Sequence, residues 1–137
     1  MSDRTSNQRL EEVLRSAAES LFPADDFAAP IDIQAQSSEG DTPLHVFSWR
    51  GDVESARVLI EAGADINAIG DMGETPLHIA LRMKNEPFIV LLLEAGANTT
   101  IRSEFNETAQ EMALAIGGCI GNLLKNRKSR RHPAHDA

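Results

Sequence analysis

The chain copies itself at a fixed interval of 33 residues. Thr42-Pro43-Leu44-His45 returns as Thr75-Pro76-Leu77-His78, and Glu61-Ala62-Gly63-Ala64-Asp65 returns as Glu94-Ala95-Gly96-Ala97-Asn98, with no gap between the two matches. The same shift carries Thr75 to Thr108 and Ala80 to Ala113. Run backwards, it carries Asp65-Ile66-Asn67-Ala68 to Asp32-Ile33-Gln34-Ala35. A period of this length marks units that cannot bury an apolar face alone and must stack on their neighbours. The expected organisation is a lead-in over 1–39, complete units over 40–72 and 73–105, a partial unit over 106–124 and a tail over 125–137.

Each unit reads as helix, turn, helix, hairpin. Thr42 and Thr75 suit helix N-caps, and Pro43 and Pro76 then fall at the first helical position, where a missing N–H costs nothing. The first helices should end near Gly51 and Lys84, and Asp52 and Asn85 can cap second helices. Val53, Ala56, Leu59 and Ile60 mark the apolar face of one second helix, and Phe88, Ile89, Leu91, Leu92 and Leu93 that of the next. Gly63 and Gly96 stand just past the helix ends, and Ala68 to Gly73 suits a projecting turn.

An open stack needs lids. Leu10, Val13, Leu14, Ala17, Ala18 and Leu21 recur at helical spacing, which predicts an amphipathic capping helix near 6–20 with Thr5 and Gln8 as its capping box. At the other end, Thr108-Ala109-Gln110-Glu111 is a capping-box pattern, followed by a second helix weakened by Gly117, Gly118 and Gly121.

The period, the Thr-Pro-Leu-His motif and the Gly-Ala-Asp-Ile-Asn-Ala stretch at 63–68 resemble the ankyrin repeat. The resemblance implies an all-α repeat fold, a stack of antiparallel helix pairs with hairpins projecting at roughly a right angle. It implies that Thr42, Pro43, Leu44, His45 and Thr75, Pro76, Leu77, His78 are structural, the histidines hydrogen-bonding within and between repeats. Two departures bear on packing: Phe47 stands where the family prefers a small alanine, and Lys84 where it prefers a glycine.

Catalysis finds no support. The histidines lack a nucleophile or orienting carboxylate at fixed spacing. Cys119, the only cysteine, has no cationic neighbour to depress its pKa, and no disulfide or cysteine-based zinc site can be built from it. His132 and His135 would hold a metal only incidentally. The Gly117–Gly121 run lacks the Lys-Ser/Thr pair of a phosphate loop. We therefore expect no enzyme activity, no metal and no cofactor. No apolar run approaches the roughly 20 residues of a membrane span. The N-terminus leads into no apolar signal core, so the expected location is cytoplasmic.

What remains is a binding surface. In the resembled family, partners dock on the hairpin tips and the exposed side of the first helices. The repeat frame places Trp49, Arg50, Arg82, Met83, Ala115 and Ile116 on the helices. It places Gln36, Ser38, Glu39 and Asp41 on the first tip, Ile69, Asp71, Met72 and Glu74 on the second, and Arg102, Glu104, Phe105 and Glu107 on the third. Trp49, Met72, Met83 and Phe105 are large apolar residues where water is expected, of the types enriched in interface cores. Glu39, Asp41, Asp71, Glu74, Glu104 and Glu107 would line one rim and attract a basic partner.

Net charge is −8, but it is divided: 125–137 carries five basic residues against one acidic, the rest of the chain 8 against 20. The acidic body disfavours nucleic acid, leaving only weak, salt-sensitive contact through the tail. The expected partner is a protein with a basic patch. A stand-alone acidic chain of this kind also looks like the small bacterial immunity proteins that block a cognate toxin. The alternatives are a scaffold or adaptor in a cytoplasmic complex, or association with nucleic acid through the basic tail.

Overall fold

A computed structural model describes residues 2–21, 32–37 and 39–124. Helix α1 spans Ser2–Leu21. The helix pairs follow as α2 (Pro43–Arg50) with α3 (Val53–Glu61), and α4 (Pro76–Arg82) with α5 (Glu86–Glu94). Helix α6 (Ala109–Ile116) is followed by a last helical stretch, α7, over 118–124. Among the described residues the only strand-like pairing is an isolated bridge between Arg102 and Thr108, so the projecting hairpins are turns rather than ladders.

Helices of like position form rows: α2 packs on α4 and α4 on α6, while α3 packs on α5. The seam is largely apolar. Leu44, Leu77, Leu59, Ile89, Leu92 and Phe88 are fully buried in one continuous cluster, each contributing roughly 2 kcal/mol of burial free energy. Gly121 allows α7 to lie close to α6, since a Cβ there would sit 3.1 Å from the Ala113 carbonyl oxygen.

A buried histidine joins each unit to the next. The Thr42 N–H donates to His45 Nδ1 at 3.0 Å, which leaves Nε2 to carry the proton and donate to the Glu74 carbonyl, 2.9 Å away in the following turn. His78 repeats the arrangement, with Thr75 N–H at 3.1 Å and the Glu107 carbonyl at 3.0 Å. In the last unit Glu111 replaces the histidine. It accepts from Thr108 N–H at 3.1 Å while its own N–H donates to Thr108 Oγ1 at 3.1 Å. Helix α6 therefore has a local capping box and no bond reaching onward.

The ladder is extended by side-chain amides. Gln34 Oε1 accepts from Asp65 N–H at 3.3 Å, and Asn67 Oδ1 accepts from Asn98 N–H at 2.8 Å. The asparagines and aspartates of the Gly-Ala-Asp-Ile-Asn stretch thus also tie neighbouring units together.

Helix α1 is the N-terminal lid, packed across both α2 and α3. Val13, Leu14, Ala17 and Ala18 are buried, and Leu10 packs partly against the core. The fully buried Phe47 ring belongs to the same core, whose lid presents alanines at 17 and 18. The helix is longer than its apolar spacing indicated. Thr5 lies inside the helix, so it is not the cap; Ser2 and Asp3 are themselves helix-start residues. The side chain of Leu21 and the whole of 125–137, including His132 and His135, lie outside the described residues.

The turn between paired helices needs a left-handed residue. Gly51 supplies it (φ 72°, ψ 24°), and Lys84, at the equivalent position, also has a positive φ of 55°; Gly117 shares the positive φ (72°) but with ψ −164°. An L-residue pays about 1–2 kcal/mol there. Lys84→Gly should therefore stabilise the chain by up to about 1 kcal/mol in urea denaturation, after the extra flexibility of an unfolded glycine is offset. Leu14→Ala should cost about 2–4 kcal/mol by opening a cavity beneath the lid.

Burial holds the His45 pKa below its ordinary value of 6.5, against the opposing effects of the Glu74 carbonyl bond and nearby Asp41. The folded state thus favours neutral His45. Its contribution is present above pH 6.5 and is lost as the unfolded chain takes up a proton below it. The stability gap between the chain and His45→Gln should be widest above pH 7 and narrow as pH falls through 6.5. A gap that stays constant would contradict this.

Candidate binding face

Three equivalent tips project from the stack, at 37–41, 70–74 and 103–107. Each is closed by a bond between the first and fifth residue: Ser37 N–H to the Asp41 carbonyl, Gly70 N–H to that of Glu74, and Ser103 N–H to that of Glu107, all at 2.9 Å. Adjacent tips are pinned to each other. Asp71 N–H donates to Asp41 Oδ1 at 3.0 Å, and Glu104 N–H to the Met72 carbonyl at 2.9 Å. Gly70 is required for this approach, since a Cβ there would run into the Asp41 carboxylate and His45 Nε2.

Between the tips and the first helices lies a hollow of about 250 Å³, lined by Asp41, Trp49, Asp71, Met72, Glu74, Ile79, Arg82 and Phe105. Trp49 comes from the last turn of α2, Met72 from the second tip and Phe105 from the third. They are 46%, 48% and 54% exposed. Met72 is left-handed (φ 60°), an uncommon and costly state for a side chain of this kind, and it lines the hollow from that position.

Glu74 corrects the sequence reading. It was expected among the rim carboxylates, yet it is only 4% exposed, and its carboxylate is ion-paired with the Arg82 guanidinium. Arg82 in turn lies over the Phe105 ring, 5.6 Å from the centroid. Glu74 thus orders Arg82 within the wall of the hollow.

Six of the eleven residues expected to bind a partner meet in this hollow: Trp49, Asp71, Met72, Glu74, Arg82 and Phe105. The other five lie elsewhere. Arg50 is committed to the lid, donating to Ser16 Oγ and Ser20 Oγ at 2.7 Å each while stacking on Phe47. Arg102 is paired with Glu111 (3.2 and 3.3 Å) and bonded to the Asn106 carbonyl (2.9 Å), across the boundary to the last unit. This pairing and the Thr108 N–H bond, the larger cause, hold the Glu111 pKa below its usual range. Ile69, Met83 and Glu104 are exposed outside the hollow, as are Gln36 and Glu39; Ser38 lies outside the described residues.

Two lining residues were under-read. Asp41 was counted only as one rim charge, although it anchors the next tip. Ile79 forms part of the buried floor. Its signal was present as the 33-residue series Val46, Ile79 and Met112, buried apolar residues at one position of each first helix.

Another hollow, about 480 Å³, lies between α1 and α3 and contains no tip or first-helix residue. Its Arg9 and Arg57 are balanced by Glu54 and Glu61, so it has no comparable charge preference. Among the described residues no group of three or more His, Cys, Asp or Glu could hold a metal ion.

A stack of helix pairs whose tips and first helices share one exposed face defines a repeat-built interaction module. A family model described as Ankyrin repeats (3 copies) matches residues 12–103, and the chain belongs to that family. A search of curated proteins found no match. Ankyrin repeats make the chain a protein–protein interaction module, a class that is generally non-catalytic. No helix among the described residues is long and apolar enough to cross a membrane.

Removing Arg82 would leave the buried Glu74 carboxylate without its cation. Because the Arg82 side chain is 39% exposed, Arg82→Ala should cost about 1–2 kcal/mol rather than the larger figure for a fully buried pair. Adding Glu74→Gln to it should recover part of the loss in thermal melts.

Proposed function

We propose that this chain acts by gripping one partner protein across the tips and first helices, with Trp49, Met72 and Phe105 as anchors. The observation that carries this reading is their convergence. Three large apolar side chains from three separate elements stay half exposed around one hollow. Isolated exposed apolar residues are common, whereas a rimmed group marks an interface.

The partner we propose is basic. Asp41, Asp71, Glu104 and Glu107 stand on the tips, and their field would speed the encounter and select against acidic surfaces. In this reading the units are 40–72 and 73–105, with 1–39 as lid and lead-in, 106–124 as closing unit and 125–137 as an accessory tail. The activity is inhibition, in the manner of an immunity protein covering a basic toxin or enzyme, and the setting is the cytoplasm.

Affinity capture from the native cell, repeated with variants, tests it. Trp49→Ala and Phe105→Ala should each weaken binding of the captured protein by about 30-fold, equivalent to ~2 kcal/mol, with melting temperatures unchanged. The captured protein should be a basic enzyme whose activity falls as the chain is added stoichiometrically. Capture unaffected by both variants would overturn the reading. Capture of a partner with no activity to block would replace inhibition with scaffolding. Loss of binding only on deleting 125–137 would move the interface to the tail.

A further inference from the structure

We propose that the hollow beside Trp49 is a receptor for one arginine side chain of the partner protein. This rests on the binding face described above and assigns its chemistry.

The repeat itself supplies the argument. Position 82 is 33 residues beyond 49, 74 is 33 beyond 41, and 105 is 33 beyond 72. In the second unit these positions hold Arg82, Glu74 and Phe105, which make a guanidinium paired with a carboxylate and stacked on a ring. In the first unit they hold Trp49, Asp41 and Met72. The carboxylate is retained, but the cation has been replaced by an indole. Among the described residues no lysine or arginine is ion-paired with Asp41 or Asp71. The first unit therefore keeps the carboxylate, holds Met72 at the ring position and an indole at the cation's position, and has no guanidinium of its own there.

The hollow is charged and ordered for such a ligand. Three carboxylates line it against one guanidinium, and that guanidinium is already paired with Glu74. Asp41 is held in place by the Asp71 N–H, so little ordering is left to pay for on binding. Trp49 offers the ring type that attracts a cation most strongly. Arginine fits better than lysine because its planar fork can stack on the indole while donating to a carboxylate. Arg50, the cation nearest in sequence to Trp49, is fixed on α1 by Ser16 and Ser20.

The test uses the full chain and three blocked tripeptides, acetyl-Gly-X-Gly-amide with X arginine, lysine or citrulline. Trp49 is the only tryptophan, so its fluorescence and its indole N–H resonance report on this site alone. The arginine peptide should give a saturable change, at least fivefold weaker with lysine and absent with citrulline. Asp41→Asn keeps the acceptor for Asp71 N–H but removes the charge, and should abolish the response without lowering the melting temperature. The same titration is run on the full chain carrying Arg127→Gln, Arg130→Gln and Arg131→Gln. A response in both forms supports a partner's arginine. A response only in the substituted form means that the chain's own tail fills the site, which overturns the proposal. Equal responses to lysine and arginine, or none in either form, also overturn it. If Trp49→Ala abolishes capture of the partner while Asp41→Asn leaves it intact, the binding face stands and the arginine receptor falls.

Discussion

The structure depends on one hydrogen bond made twice. His45 and His78 are fully buried, and each spends one ring nitrogen on its own helix start and the other on a carbonyl of the next turn. A buried polar ring is costly unless both nitrogens are satisfied, so the bond is specific as well as favourable. It fixes where each tip leaves the stack relative to the helix before it. Everything on the binding face inherits its position from that link.

The tips then act as a row of equivalent supports. The Asp71-to-Asp41 and Glu104-to-Met72 bonds lock neighbours together, while residue choice within the frame varies. Trp49 and Met72, standing where the next unit has an arginine and a phenylalanine, change what the face attracts while each tip keeps its closing bond, although Met72 is left-handed and Phe105 is not. A repeat scaffold separates stability from recognition in this way: the 33-residue constants build the stack, and the variables between them define the surface.

Much of this was legible in the sequence because the period places like residues in like environments. Thr-Pro-Leu-His named the helix starts, and the apolar spacing of Val13, Leu14, Ala17 and Ala18 named the lid. Trp49, Met72 and Phe105 could be placed near water by their register alone. The pairing of Glu74 was hidden, because a carboxylate on a tip looks the same in sequence whether it faces solvent or an arginine eight residues on. Arg50 and Arg102 misled for the same reason: their partners, Ser16 with Ser20 and Glu111, lie 34, 30 and 9 residues away and are set by packing. The start of α1 differs too, since Ser2 to Gln8 contain no apolar residue whose spacing could mark the helix.

Amide hydrogen exchange of the chain with and without its bound partner tests the central claim most directly. The account predicts slowed exchange confined to the tips at 69–74 and 102–107 and to the end of α2 around Trp49, with α3 and α5 unchanged. Protection concentrated on α3, α5 or the hollow between α1 and α3 would contradict it.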